Sequence, residues 1–131
     1  MDELVSERAV RAVRGATQVA ANERETVLAA TRELVGEVLG RNGLGPHDVL
    51  SIVFTATRDL TAVAPAMAAR QLGLHDVALI CAQEMWVEGS MPRVVRLLAH
   101  VETTRRRDQV ANVYLNGTEV LRADVPKVPA S

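Results

Sequence analysis

The clearest hydrophobic pattern in the chain lies between residues 25 and 39, where apolar side chains recur three or four positions apart. Charged residues fall between them and face the other way. A start resembling a capping box is formed by Asn22 and, three residues later, Glu25. Asn42-Gly43 followed by Gly45-Pro46 is typical of a helix end. The pattern predicts one long amphipathic helix, with its inner face formed by Val27, Leu28, Thr31, Leu34, Val35, Val38 and Leu39.

Two short runs rich in β-branched residues, 49–54 and 77–81, are typical of buried strands. The segment between them favours a second helix. Pro65 suits its first turn, residues 66–72 favour helix, and Gly73 can close it. We therefore expect a short helix between two interior strands.

Two further segments have less decisive patterns. Residues 8–14 contain Val10 and Val13 among alanines and arginines, and we predict a strand that Gly15 ends. Residues 91–102 satisfy the spacing of a helix and the alternation of a strand equally well, so their pattern leaves both structures open.

The C-terminal part contains a short-range hairpin signal, because residues 113–115 and 119–121 flank Asn116-Gly117. Together these elements predict an α+β fold, a single mixed sheet of about five strands with one long and one short helix. Two helices can cover only one face of such a sheet. The uncovered face predicts self-association.

The length of 131 residues suits one domain. We expect a single domain over residues 1–131, with flexible tails at 1–8 and 125–131. The chain has only three aromatic residues, Phe54, Trp86 and Tyr114, so the core must be built from aliphatic side chains. The same scarcity argues against stacking on nucleic-acid bases. The arginine run at 105–107 beside Asp108 is better explained as a solvated loop.

Cysteine usage and hydropathy predict the compartment. Cys81 is the single cysteine, so no internal disulfide can form and the chain is expected to be intracellular. No apolar run approaches the ~18 residues of a membrane span, and the first eight residues do not resemble a secretory signal. We expect a soluble, cytoplasmic protein with no membrane partner.

The common catalytic patterns are missing from the sequence. His47, His75 and His100 are scattered without the spacing of a metal site, and Ser51 lacks a Gly-x-Ser-x-Gly turn. Arg96 is more informative, because an arginine inside an apolar run must reach water or pair with an anion. The chain therefore suits anion binding better than bond-breaking side chains.

Six polar side chains fall at or beside predicted strand ends and favour a pocket for a polyanion: Arg14, Cys81, Glu84, Arg96, Tyr114 and Arg122. Their order and near-matching spacing, from about residue 9 to 124, resemble the small trimeric class of chorismate mutases. The resemblance implies a homotrimer whose sheets form a pseudo-α/β barrel, with active sites between subunits. It also implies a helical turn near Pro92 followed by a long strand that carries Arg96.

The reaction implied by this resemblance is the intramolecular rearrangement of chorismate to prephenate, in the shikimate pathway and the biosynthesis of phenylalanine and tyrosine. It needs no cofactor, metal or covalent intermediate, since the enzyme holds a folded conformer and stabilises the separating charge. By the family's roles, Arg96 donates to the ether oxygen. Arg14 and Tyr114 bind the enolpyruvyl carboxylate, and Glu84 and Cys81 contact the ring hydroxyl. Glu84 also lies near the positive charge that grows on the ring.

Positions around the pocket mouth carry over less completely. Arg70, Leu121 and Arg122 match residues that line or close the mouth. An aromatic position of some family members is Ala64 here, and a nearby lysine is Met67. These departures affect the rim of the pocket rather than its central charged set.

Two alternatives to a chorismate mutase stay open at this point. A trimeric imine or enamine deaminase has a similar subunit and uses an arginine for a substrate carboxylate. A non-catalytic trimer could bind a small carboxylate as a sensor. Trp86 is expected to pack, and Arg58 has no assigned role.

Overall fold

A computed structural model describes residues 7–124, and at 122–124 it describes the backbone alone. Of the predicted tails, 1–6 and 125–131 lie outside the described residues. Within the described residues the chain forms five strands and two α-helices in the order β1 (Ala9–Gln18), α1 (Arg24–Arg41), β2 (Val49–Ala56), α2 (Ala66–Gln71), β3 (Ala78–Gln83), β4 (Val94–Thr103) and β5 (Val113–Leu115). Short 3-10 helices occupy Pro46–Asp48, Arg107–Gln109 and Thr118–Asp124. No helix in the described part of the chain is both long and apolar enough to cross a membrane.

The strands form one mixed sheet in the order β3-β2-β4-β1-β5. The central strand β4 runs antiparallel to β1 and β2, while β3 is parallel to β2 and β5 is parallel to β1. Four strands therefore run one way, and β4 alone runs against them. The ends of β2 and β3 consequently lie beside the beginning of β4. The predicted α+β fold, with about five strands, one long helix and one short helix, is confirmed.

The core lies between the sheet and the two helices, which cover one face only. Six of the seven residues predicted for the inner face of α1 are buried, and Leu39 is partly buried. This face packs on inward-facing strand residues such as Val13, Phe54 and Leu97. The opposite surface of the sheet, which we call the open face, carries Arg96, Leu98 and their neighbours on the other strands. Here Leu98 keeps 39% of its surface exposed.

The two ends of α1 are held differently. The predicted end is confirmed: Asn42 caps the helix, Gly43 has a φ of +63°, and the Leu44 N–H donates to the Leu39 carbonyl over 2.9 Å. The predicted start is wrong, because α1 begins after Glu23. The Asn22 amide instead accepts from two backbone N–H groups, those of residues 61 and 62, over 3.0 Å each. Its side chain is therefore used to hold the loop before α2.

Gly15 does not end β1, contrary to the prediction from sequence. The strand continues to Gln18, and Gly15 lies within it, opposite Leu97 of β4. A Cβ atom at this position would stand 3.1 Å from the Leu34 Cδ1 and 3.2 Å from the Leu97 Cγ. The glycine is therefore needed because α1 crosses close to the sheet here.

The predicted C-terminal hairpin is wrong. Asn116 and Gly117 do turn the chain, with φ angles of 54° and 91°, but β5 pairs in parallel with β1. The residues after the turn form a 3-10 helix instead of a strand. Buried Thr118 explains this path, because its hydroxyl lies 2.7 Å from the Leu115 carbonyl and 3.1 Å from the Ala16 carbonyl. The side chain thus ties the turn back onto β1.

The ambiguous segment 91–102 forms strand β4, as expected from the family resemblance. The helical turn expected near Pro92 is wrong. The chain turns earlier, where the Ser90 N–H donates to the Val87 carbonyl over 2.9 Å. Arg93 then takes a φ of 51°, and its N–H donates to the Asp59 carboxylate over 3.1 Å. A hydrogen bond from the Arg93 backbone to a carboxylate of the loop after β2 therefore replaces helical hydrogen bonding at this point.

The close approach at Gly15 gives a stability prediction. We expect Gly15→Val to lower the free energy of unfolding by about 1–3 kcal/mol, because the added atoms overpack Leu34 and Leu97. Gly36→Ala is the matched control. It lies in α1 with open space around its Cβ position, and it should raise the free energy by about 0.5–1 kcal/mol. Urea unfolding measures both, and a Gly15→Val variant as stable as the wild type would contradict the packing described.

Candidate active site

A cleft of about 410 Å³ opens on the open face of the sheet, where β2 and β3 end and β4 begins. Its volume suits a small-molecule ligand. The lining combines charged groups with a floor of aliphatic side chains: Arg14, Gly15, Val53, Thr55, Glu84, Arg96, Leu97, Leu98 and Tyr114.

Strand register explains why these side chains meet. Arg96 lies opposite Thr55 of β2 on one side and opposite Ala16 of β1 on the other. Tyr114 of β5 is in turn the partner of Ala16. Since paired residues share a face of the sheet, Thr55, Arg96 and Tyr114 stand in one row. Arg14 belongs to the next row, on the same face.

Arg96 and Glu84 form the charged centre of the cleft. The Arg96 Nε lies 3.0 Å from the Glu84 Oε1, and the two side chains are 37% and 21% exposed. The N–H of Nε is not aimed at that oxygen, however. This nitrogen is buried and has no hydrogen-bond acceptor in the part of the chain that the structure describes. An unsatisfied buried donor is costly, so the site favours a ligand that brings an acceptor to it.

Glu84 is held by β2, the strand that lies between its own strand and that of Arg96. Its backbone N–H donates to the Ala56 carbonyl over 2.9 Å, which extends the parallel pairing one residue beyond β3. Its Oε1 accepts a hydrogen bond from the Thr55 hydroxyl over 3.0 Å. The carboxylate therefore has a fixed direction toward Arg96.

Arg14 and Tyr114 are on the same face of the sheet, but on strands β1 and β5, across β4 from Glu84. The backbone N–H of Arg14 donates to the Asn112 Oδ1 over 2.8 Å, which fixes β1 just before β5 begins. Arg14 is exposed and Tyr114 is half-buried, and both line the cleft. An arginine and a phenol at one end of a cleft suit a carboxylate.

The other residues predicted for the site lie elsewhere in the subunit. Cys81 pairs with Phe54, so it belongs to the helix-covered face and lines a separate pocket of about 320 Å³ together with Ala64. Arg70 is exposed at the end of α2, and Leu121 is half-buried in the last 3-10 helix. The Arg122 side chain lies outside the described residues. The structure thus brings together Arg14, Glu84, Arg96 and Tyr114, whereas Cys81, Arg70 and Leu121 do not line this cleft.

Two details of the site were not anticipated from sequence. Thr55 was not singled out, although its hydroxyl orients Glu84. The alternation of side chains along β2 shows which face of the sheet Thr55 is on, but only the register with β4 shows that Thr55 lies beside Arg96. Met67 accepts a contact of 3.0 Å from the Arg24 guanidinium to its sulfur. Among residues 7–124, no group of three or more His, Cys, Asp or Glu side chains could hold a metal ion.

Comparison with known proteins gives a consistent result. The family model described as chorismate mutase type I matches residues 10–125. Chorismate mutase AroH of Thermus thermophilus is 44% identical over 117 residues, which cover 88% of this chain and 96% of the relative. Chorismate mutase AroH of Bacillus subtilis (strain 168) is 38% identical over 117 residues, 88% of this chain and 92% of the relative.

The fold is also similar to a solved structure of a chorismate mutase from Clostridium thermocellum. The TM-score is 0.82 at 42% sequence identity, and the alignment covers 83% of this chain and 97% of that chain. The span matched by the family model, 10–125, includes every residue that lines the cleft.

Proposed function

This chain belongs to the chorismate mutase type I family, and we propose that it converts chorismate to prephenate at the cleft around Arg96. It is an isomerase of aromatic amino-acid biosynthesis. The observation that carries the choice of site is the Arg96 side chain, which lines a ligand-sized cleft beside a fixed carboxylate and whose buried Nε has no acceptor among the described residues. We place the reaction in the cytoplasm and expect residues 1–131 to work as a single domain, without a cofactor.

The reaction rearranges bonds within one molecule. The ether C–O bond of chorismate breaks while a C–C bond forms, so negative charge grows on the ether oxygen and positive charge grows on the ring. We assign the Arg96 Nε as the donor to that oxygen. Glu84, 3.0 Å from the same nitrogen, would face the ring. Both groups would stabilise charge that exists only in the transition state, without forming any bond to the substrate.

Binding of the enolpyruvyl carboxylate is assigned to Arg14 and Tyr114. They stand on the β1 and β5 side of Arg96, while Glu84 stands on the β2 and β3 side. A substrate held between the two groups would keep its reacting carbons together, and such positioning is a large part of catalysis for an intramolecular reaction.

The open face supports the proposal of a homotrimer. Val10 is 52% exposed there and Ile80 is 59% exposed, in addition to Leu98. Apolar exposure of this kind is typical of a surface that another protein covers. We propose that three subunits pack these faces into a pseudo-α/β barrel, with active sites between subunits.

Assembly also gives a role to the predicted site residues that lie apart from the cleft. Cys81 and Arg70 do not line the Arg96 cleft of their own subunit, so any contact with the same substrate must come from a neighbouring copy. We propose that a neighbour supplies both, with Cys81 near the ring hydroxyl and Arg70 at the mouth. Leu121 and Arg122 are proposed to close the mouth.

One test of the proposed function concerns Arg96. Wild-type protein should consume chorismate, which is measured as a loss of chorismate absorbance. Arg96→Lys should lower kcat by a factor of at least ~10²–10³. A lysine keeps the charge but cannot place a donor where the guanidinium Nε stands. Arg106→Lys, at an exposed position away from the cleft, is the matched control and should keep the wild-type rate. Wild-type turnover by Arg96→Lys would refute the role of Arg96, and a wild type inactive on chorismate would refute the function.

Another test concerns assembly. Light scattering should give the mass of three 14.2 kDa subunits. Arg96→Ala and Arg70→Ala should each be weakly active alone, whereas trimers refolded from an equal mixture should regain activity. Random mixing joins an intact Arg96 to a neighbour's intact Arg70 in about one quarter of the sites. A mixture no more active than the sum of its components would contradict sites shared between subunits.

A further inference from the structure

Arg58 and Trp86 join the loops that follow β2 and β3. The guanidinium carbon of Arg58 lies over the Trp86 ring, 4.2 Å from its centroid, which is within the range of a cation–π interaction. Arg58 stands two residues beyond the end of β2, and Trp86 stands three residues beyond the end of β3. We call this contact the Arg58–Trp86 clasp.

On one side, the clasp holds the loop that carries Glu84. Met85, between Glu84 and Trp86, is 81% exposed and gives the loop little packing. Beyond Trp86, the Val87 and Ser90 N–H groups bond to Ser90 and Val87 respectively, so these hydrogen bonds stay within the loop. The half-buried Trp86 is therefore well placed to anchor the chain just after Glu84.

The other partner of the clasp, Arg58, belongs to a segment that is hydrogen-bonded to the start of β4. The Thr57 hydroxyl accepts from the Val94 N–H over 3.0 Å and donates to the Asp59 Oδ1 over 2.6 Å. Asp59 in turn accepts from the N–H of Arg93. Arg58 lies between these two residues and so has a backbone tied to the start of the strand that carries Arg96, only two residues after Val94.

We propose that Arg58 and Trp86 are positioning residues that hold Glu84 opposite Arg96. The inference rests on the proposed chorismate mutase activity and deepens it. Thr55 and the Ala56 carbonyl fix Glu84 from β2, and the clasp fixes the chain that leaves it. A small misplacement of a group that acts in the transition state lowers the rate strongly, even when the altered residue never touches the substrate.

Kinetics of single variants test the clasp. Arg58→Ala and Trp86→Ala should each lower kcat by about 3- to 30-fold, the range expected for loss of a cation–π contact, with KM nearly unchanged. Arg58→Lys and Trp86→Phe keep a cation and a ring and should restore most of the rate. Arg106→Ala, an exposed arginine outside the clasp, is the control and should match the wild type.

A double-variant cycle separates positioning from a general structural role. If the clasp acts through Glu84, Arg58→Ala should cost less than about twofold when Glu84 is already changed to Gln. If Arg58→Ala lowered kcat by the same factor in the Glu84→Gln background as in the wild type, the proposal would be overturned. A raised KM with unchanged kcat in Arg58→Ala and no effect of Trp86→Ala would also overturn it, since Arg58 would then bind substrate directly.

A third measurement does not depend on activity. Trp86 is the sole tryptophan of the chain, so its fluorescence reports on the clasp alone. Acrylamide should quench it more strongly in Arg58→Ala than in the wild type, because the guanidinium no longer covers the ring. Equal quenching would show that the clasp does not form in solution. An inactive wild type would refute the proposed function, and the positioning role with it, whereas quenching would still decide whether the clasp exists.

Discussion

The structure of the site depends on one electrostatic arrangement, in which the Arg96 guanidinium is held beside the Glu84 carboxylate while its buried Nε keeps no acceptor among the described residues. Both side chains are positioned by residues that are distant from them in the sequence. Arg96 is on the central strand, and Glu84 reaches it across β2 with the help of the Thr55 hydroxyl. A donor held ready in a partly buried site needs no reorganisation when charge develops next to it, which is the condition for strong transition-state stabilisation. An intramolecular rearrangement requires mainly this stabilisation and a correctly held substrate conformer.

The one-sided covering of the sheet connects the fold to this site. Helices α1 and α2 bury one face, so the charged groups and exposed Leu98 share the other. A monomer would leave the cleft open to water, and water weakens the interactions of the charged groups with the substrate. Packing of open faces against each other would cover the apolar residues and enclose the cleft at once. Stability of the assembly and exclusion of water from the substrate would then have the same physical origin.

Sequence reasoning succeeded where local chemistry decides the structure and failed where pairing partners decide it. The end of α1 followed from Asn42-Gly43, and strands β2 and β3 followed from their apolar runs. The prediction that both are interior strands is wrong for β3, which lies at the edge of the sheet and is mostly exposed. Asn116-Gly117 correctly indicated a turn, but the preceding strand pairs with β1, which no local pattern reveals. Gly15 was predicted to end a strand because the contact that requires a glycine there is with Leu34, which is distant in sequence. Four of the predicted site residues meet in the cleft, whereas Thr55 could be recognised only once the register was known.

A crystal structure with a stable bicyclic dicarboxylate ether that imitates the transition state would test the central claim most directly. The account predicts that the ether oxygen lies about 2.7–3.1 Å from the Arg96 Nε, with the Glu84 carboxylate facing the ring. A complex in which the ether oxygen is bound by another group, or in which Arg96 turns away into solvent, would contradict it.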